Sequence, residues 1–173
     1  MQVAVGGKSG IMGFYVDHNN GLASALTDNA AAEMQVKVMT LVDLLLELQW
    51  PYIDLLKVDI EGAEIDMLES CSDQFLSERI RQITIEFHDF CGITPASVVQ
   101  NSIQRLHSLG FASIRMSRVG HQDTWLINRN LLPITKSTIL FHRLVTRNWF
   151  GAKRVAARLL NYPTFFASTN FDG

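Results

Sequence analysis

Apolar and polar positions along this 173-residue chain change period several times, and each change marks an element. Residues 2–17, QVAVGGKSGIMGFYVD, read as two short strands around a glycine-rich turn. Residues 18–33, rich in Asn, Ala and Gly, read as a loop, and MQVKVM (34–39) as a strand. Thr40 is an N-cap candidate with Asp43 as its capping-box partner, opening a helix that runs to about Gln49 and ends at Trp50-Pro51. IDLLKVDI (53–60) predicts a strand, GAEIDMLESC (62–71) a helix, and IRQITIEFH (80–88) the next strand. Thr94-Pro95 starts a helix, with Pro95 at its first position. Val98, Val99, Ser102, Ile103, Leu106 and Leu109 form its apolar face, and Gly110 ends it. FASIRMSRV (111–119) and DTWLINR (123–129) close as strands around the short turn GHQ.

From residue 34 the order is strand, helix, strand, helix, strand, helix, strand, strand. That alternation predicts an α/β fold with a mostly parallel sheet, helices on its faces and an antiparallel last strand pair. The division expected is a domain over 1–130 and a helical extension over 131–173. In the extension, Leu140, Phe141, Leu144, Val145 and Trp149 line one stripe, with Lys136, Arg143 and Arg147 elsewhere.

Hydrophobic residues make up 47% of the chain and charged ones 18%, which excludes a disordered protein. No run is long and apolar enough for a membrane span, and the start has no basic region followed by an apolar one. Cys71 and Cys91 fit neither a metal spacing nor a disulfide framework, so a cytoplasmic protein with reduced thiols is expected. The net charge of -2 hides an asymmetry, with 15 acidic and 5 basic residues in 1–90 against 2 and 10 in 91–173. An acidic site region beside basic helices accounts for it, and a basic surface for an anionic partner is the sharper alternative. The basic amphipathic stretch 134–160 allows a membrane-surface helix, although packing against the sheet or a second subunit is favoured.

The candidate chemistry lies in LLKVDIEGAEIDMLES (55–70), which puts Lys57 and Asp59 in an apolar run and Glu61, Glu64, Asp66 and Glu69 around Gly62. Open α/β sheets bind ligands at the carboxyl ends of their strands. Asp59 falls at one such end, and Glu86 and His88 at another. Alternation puts Thr84, Glu86 and His88 on one face and Ile83, Ile85 and Phe87 on the other. On neighbouring strands, Asp59, Glu61, Glu86, His88 and Asp89 would converge on one crevice. Such crowding is expensive unless the groups bind a cation, share protons or face water. Gly62 permits the close backbone approach of a tight turn. Lys57 reads as a partner for a nearby carboxylate, and Glu64, Asp66 and Glu69 as a solvated helix face. His107 and His121 read as a helix surface and a turn. Cys91 lacks a base and an orienting partner, so a thiol nucleophile is not expected. GKS at 7–9 fails as a phosphate loop, because Gln2 stands where a glycine is required.

LLKVDIEGAEIDML followed by ITIEFHD resembles the FkbM-type family of S-adenosylmethionine-dependent methyltransferases. VAVGGKSGIMGFYVD and VMTLVDLL are similar to that family's intervening segments, in the same order, so the likeness spans about residues 3–128. It implies a Rossmann-like methyltransferase sheet with helices on both faces. It also implies methyl transfer from S-adenosylmethionine to a sugar or natural-product hydroxyl. By this resemblance Asp59, Glu61, Glu86 and His88 match the family's acidic and strand-end motifs. Asp59 or His88 is then the candidate base, Glu61 and Glu86 orient a hydroxyl or hold a metal, and Asp59 is also the cofactor contact left in the chain. The family's glycine-rich turn after the first strand, and its acidic residue after the second, are not found. In the family's order 3-2-1-4-5-7-6 the chain is expected to begin at the third strand, leaving the edge of the fourth bare for another chain. The expected partner is a small-molecule or glycan hydroxyl acceptor, with a homo-oligomer allowed and no nucleic acid. A non-catalytic association domain of methyltransferase ancestry is the first alternative. A metal-dependent hydrolase is the second, and no metal ligands are assigned.

Overall fold

The computed structural model describes residues 2–16, 24–27, 34–60, 62–89, 92–117, 120–142 and 144, with backbone alone for 14–16 and 24–27. Two compact units divide the chain, Met1–Pro133 and Ile134–Gly173.

The first unit holds two four-stranded sheets. In one, β1 (Ala4–Val5), β2 (Gly10–Val16), β3 (Ser24–Thr27) and β4 (Met34–Met39) lie in the order β1-β4-β2-β3. The pair β1/β4 is parallel, and β2 runs antiparallel to both β3 and β4. The segment 18–33, expected as a loop, therefore contains strand β3. Helix α1 (Leu41–Leu48) follows, with Thr40 as N-cap accepting the Asp43 N–H at 3.1 Å. The reciprocal limb of this capping box runs through Ser9. Its hydroxyl accepts the Thr40 N–H at 2.9 Å and donates to the Asp43 carboxylate, which holds the Asp43 pKa below its ordinary value. The failed phosphate-loop serine thus ties the β1–β2 turn to the start of a helix.

The second sheet holds β5 (Leu56–Val58), β6 (Gln82–Glu86), β7 (Phe111–Arg115) and β8 (Asp123–Asn128) in the order β5-β6-β8-β7. The pair β5/β6 is parallel, while β8 is antiparallel to β6 and β7. Three of its strands thus point one way, as expected, but the single mostly parallel sheet is corrected. The described residues form two sheets, and two of the three hydrogen-bonded pairs in each are antiparallel. Helices α2 (Glu64–Glu69), α3 (Asp73–Arg79) and α4 (Ala96–Ser108) connect these strands. The predicted helix 62–71 is shorter than expected, and α3 was not predicted. Pro95 takes the N-cap of α4 and not its first turn, with Val99, Ile103 and Leu106 buried as the periodicity required.

Register explains the core. Ile83 stands opposite Leu56 and Leu126, and Ile85 opposite Val58 and Thr124, so these side chains share one face. That face joins Leu41 and Leu45 of α1, Ile65 and Leu68 of α2, Leu76 of α3 and Val99 and Leu106 of α4 in one cluster. Helices on both faces are corrected in this unit, because all four contribute to the same core. Each large apolar side chain buried this fully contributes roughly 1.5–3 kcal/mol. Arg105 of α4 fastens the end of α2, donating to Leu68 O at 2.9 Å and Cys71 O at 2.6 Å, and to Asp73 at 2.8 Å.

In the second unit, Thr135 caps the described helix α5 (Lys136–Phe141), and Leu140, Phe141 and Leu144 of the predicted stripe are exposed. Arg143, Val145, Arg147 and Trp149, and most of 134–160, lie outside the described residues. Among the described residues no helix is long and apolar enough to cross a membrane.

Candidate active site

Strand β5 ends in a turn shaped by Gly62, whose φ of 100° favours glycine. A Cβ there would sit 2.6 Å from Ile93 Cγ2. The acids expected in one crevice take different partners. Asp59 remains in solvent and accepts from Lys57 Nζ at 3.0 Å. The hydrogen bond and charge of Asp59 raise the Lys57 pKa, and Glu86 and Asp123 add to this. Lys57 is therefore the carboxylate partner that its place in the sequence predicted. Glu86 stands opposite Asp123 and accepts from Gln122 Nε2 at 3.2 Å. Together with Thr84 and Trp125, Lys57, Glu86 and Asp123 line a cavity of about 200 Å³. Glu61 lies outside the described residues, as does Cys91.

His88 goes elsewhere. Strand β6 ends at Glu86, and His88, 5% exposed, places Nδ1 2.9 Å from Oε1 of Glu64. Glu64, expected on a solvated helix face, is 0% exposed. Its Oε1 also accepts the backbone N–H of Gly62 at 3.0 Å and of Ile60 at 3.3 Å. Its Oε2 has no hydrogen-bond partner among the described residues. The same correction does not extend to Asp66 and Glu69, which are exposed.

Asp89 makes a second histidine–carboxylate pair. His121, read as a turn residue, places Nδ1 2.8 Å from its Oδ2 and donates its backbone N–H to Oδ1 at 3.0 Å. Burial pushes the Asp89 carboxyl up, but these His121 contacts outweigh it and hold the pKa below its ordinary value.

A larger cavity, about 580 Å³, opens at the carboxyl end of β5 and lies within the size range of small-molecule sites. Gly6, Gly7, Lys8, Ile60, Gly62, Asp66, Glu69 and Ser70 are among its lining residues. Gly7 has to be small, because a Cβ there would approach Asp66 Cβ to 2.9 Å. The backbone N–H groups that hold Glu64 belong to Ile60 and Gly62, two residues of this cavity's lining, and Glu64 in turn holds His88.

The model of the Methyltransferase FkbM domain matches residues 1–112. The chain belongs to that family. The match takes in the whole FkbM turn from β5 to α2 and the end of β6, and therefore Asp59, Glu64, Glu86, His88 and Asp89, while His121 lies beyond it. No curated protein and no solved structure matches the chain. Sequence reasoning missed Glu64 and His121. The signal for Glu64 was its position two residues after Gly62, within reach of the turn's own amides. His121 gave none, since its partner is 32 residues away.

Proposed function

We propose that this FkbM-family chain acts as an S-adenosylmethionine-dependent O-methyltransferase on a sugar or natural-product hydroxyl. One observation carries the reading: the buried Glu64–His88 pair, which is hydrogen-bonded through Glu64 to Ile60 and Gly62 of the large cavity at the strand ends. O-methylation asks the protein to align a hydroxyl and accept its proton. His88 is the base in this reading. Asp59, the other candidate, is engaged by Lys57 in solvent, and Glu86 with Gln122 orients polar groups on the neighbouring cavity.

S-adenosylmethionine, when bound, supplies a methyl group on a cationic sulfur that is already a good leaving group. The donor set of the large cavity fits that positive charge: two exposed carboxylates, the hydroxyl of Ser70, and glycine backbone that can approach closely. Asp66 and Glu69 would hold the cationic end. Asp59, expected in that role, does not line this cavity.

Calorimetry with S-adenosylmethionine and with its product S-adenosylhomocysteine, whose sulfur carries no charge, tests the assignment. Asp66→Asn combined with Glu69→Gln should weaken the cationic ligand more, by about tenfold. Equal losses, or no binding of either ligand to the unaltered chain, would sink it. In methyl transfer from labelled cofactor to a panel of polyols, His88→Gln should lower turnover by about 10²–10⁴. Full turnover in that variant removes His88 from the base role.

The edge of β5 favours a second reading, association without catalysis. Among the described residues no strand pairs with its outer side, and Leu55 beside it is 55% exposed. A metal-dependent hydrolase draws no comparable support, since the described residues hold no group of three or more His, Cys, Asp or Glu placed to bind a metal.

A further inference from the structure

Burying a carboxylate costs several kcal/mol unless it is well paired. Glu64 stands in the first turn of α2, but the amides its carboxylate accepts, from Ile60 and Gly62, both precede the helix, whose N-cap is Ala63. Serine, threonine or aspartate would cap a helix at the surface. The buried carboxylate instead gathers three contacts on one oxygen, from Ile60 N, Gly62 N and His88 Nδ1.

We propose that Glu64 is a positioning residue for His88, fixing the imidazole in its Nδ1–H tautomer and turning Nε2 into the proton-accepting nitrogen. This deepens the reading of His88 as base and rests on it. An oxygen that already accepts two backbone N–H groups acts as an acceptor, so its third contact must come from a donor. Nδ1 therefore carries the proton, and a neutral imidazole has only one N–H to give. The two amides belong to Gly62, whose left-handed φ favours glycine and whose side a Cβ would crowd against Ile93, and to Ile60 two residues before it. Among the described residues Asp89 pairs with His121, Glu86 with Gln122, and Asp59 with Lys57. Second-sphere carboxylates that fix a histidine tautomer act in this way at many sites.

Two-bond 1H–15N correlation spectra of the full labelled chain, taken at alkaline pH where imidazoles are neutral, read the tautomer directly. His88→Gln identifies the resonances. In the unaltered chain the Nδ1–H form should exceed the Nε2–H form by about tenfold, the ratio that a charge-assisted hydrogen bond to Glu64 supplies. Glu64→Gln should keep that pattern, because only its carbonyl oxygen can accept the two backbone N–H groups. Glu64→Leu should lose it and move His88 toward the Nε2–H form that imidazole prefers in water. An Nε2–H pattern in the unaltered chain or in Glu64→Gln overturns the proposal, as does an unchanged pattern in Glu64→Leu. If Glu64→Leu does not fold, the other two spectra still decide. No cofactor or acceptor is needed for this measurement. A wrong tautomer therefore ends the positioning role whatever the turnover. A correct tautomer in a chain whose methyl transfer ignores His88 ends the base reading and leaves the positioning intact.

Discussion

At the scale of single residues, Asp89 shows how hydrogen bonds outweigh burial. Its folded pKa lies below the unfolded value, so the pair with His121 stabilises the fold above the ordinary carboxylate range and stops doing so as pH falls through the folded pKa. Asp89→Asn should cost about 1–3 kcal/mol at neutral pH, the range for a charge-assisted hydrogen bond. The gap between variant and parent in urea unfolding should close below about pH 4; a constant gap into strong acid contradicts the assignment. Of the site residues, Lys57 was legible because a charge inside an apolar run needs a partner nearby in the chain. Glu64 was misread for the converse reason. A glutamate in a first turn usually faces water, and its burial depends on an imidazole 24 residues away that no local pattern contains.

Individual elements carry two further tests. Arg105 closes the carboxyl end of α2 through two backbone carbonyls. Arg105→Met keeps much of the stem and should cost about 2 kcal/mol in thermal or chemical unfolding, and Arg105→Lys should recover little, since one ammonium lacks the planar fork. Helix α1 ends on Gln49 at φ 55°, a left-handed position where glycine is the usual residue. Gln49→Gly should stabilise by up to about 1 kcal/mol; destabilisation would mean that the side chain makes a compensating contact. Helix α1, strand β4 and the apolar face of α4 were readable because caps and periodicity are local. Helix α3 was not, since its seven residues span barely two turns and bury only Leu76. Strand β3 was lost in a segment whose Asn and Ala content signals a loop, and its place is fixed by pairing with β2.

Across the whole molecule, the alternation of strands and helices gave the α/β class but could not say that the strands divide between two sheets. That division is a matter of long-range pairing. The order β5-β6-β8-β7, with β8 reversed, agrees with the 4-5-7-6 half of the order expected from the family resemblance. Among the described residues it leaves β5 at an edge, so sedimentation velocity should show mass rising with concentration, and Leu55→Lys should reduce that rise. A monomer at every concentration rules out the association reading. The side of β5 that no described strand covers also offers a practical handle. An extended peptide immobilised on resin could capture the chain through main-chain contacts alone, and N-methylating alternate residues of the bait would abolish retention without altering a single side chain.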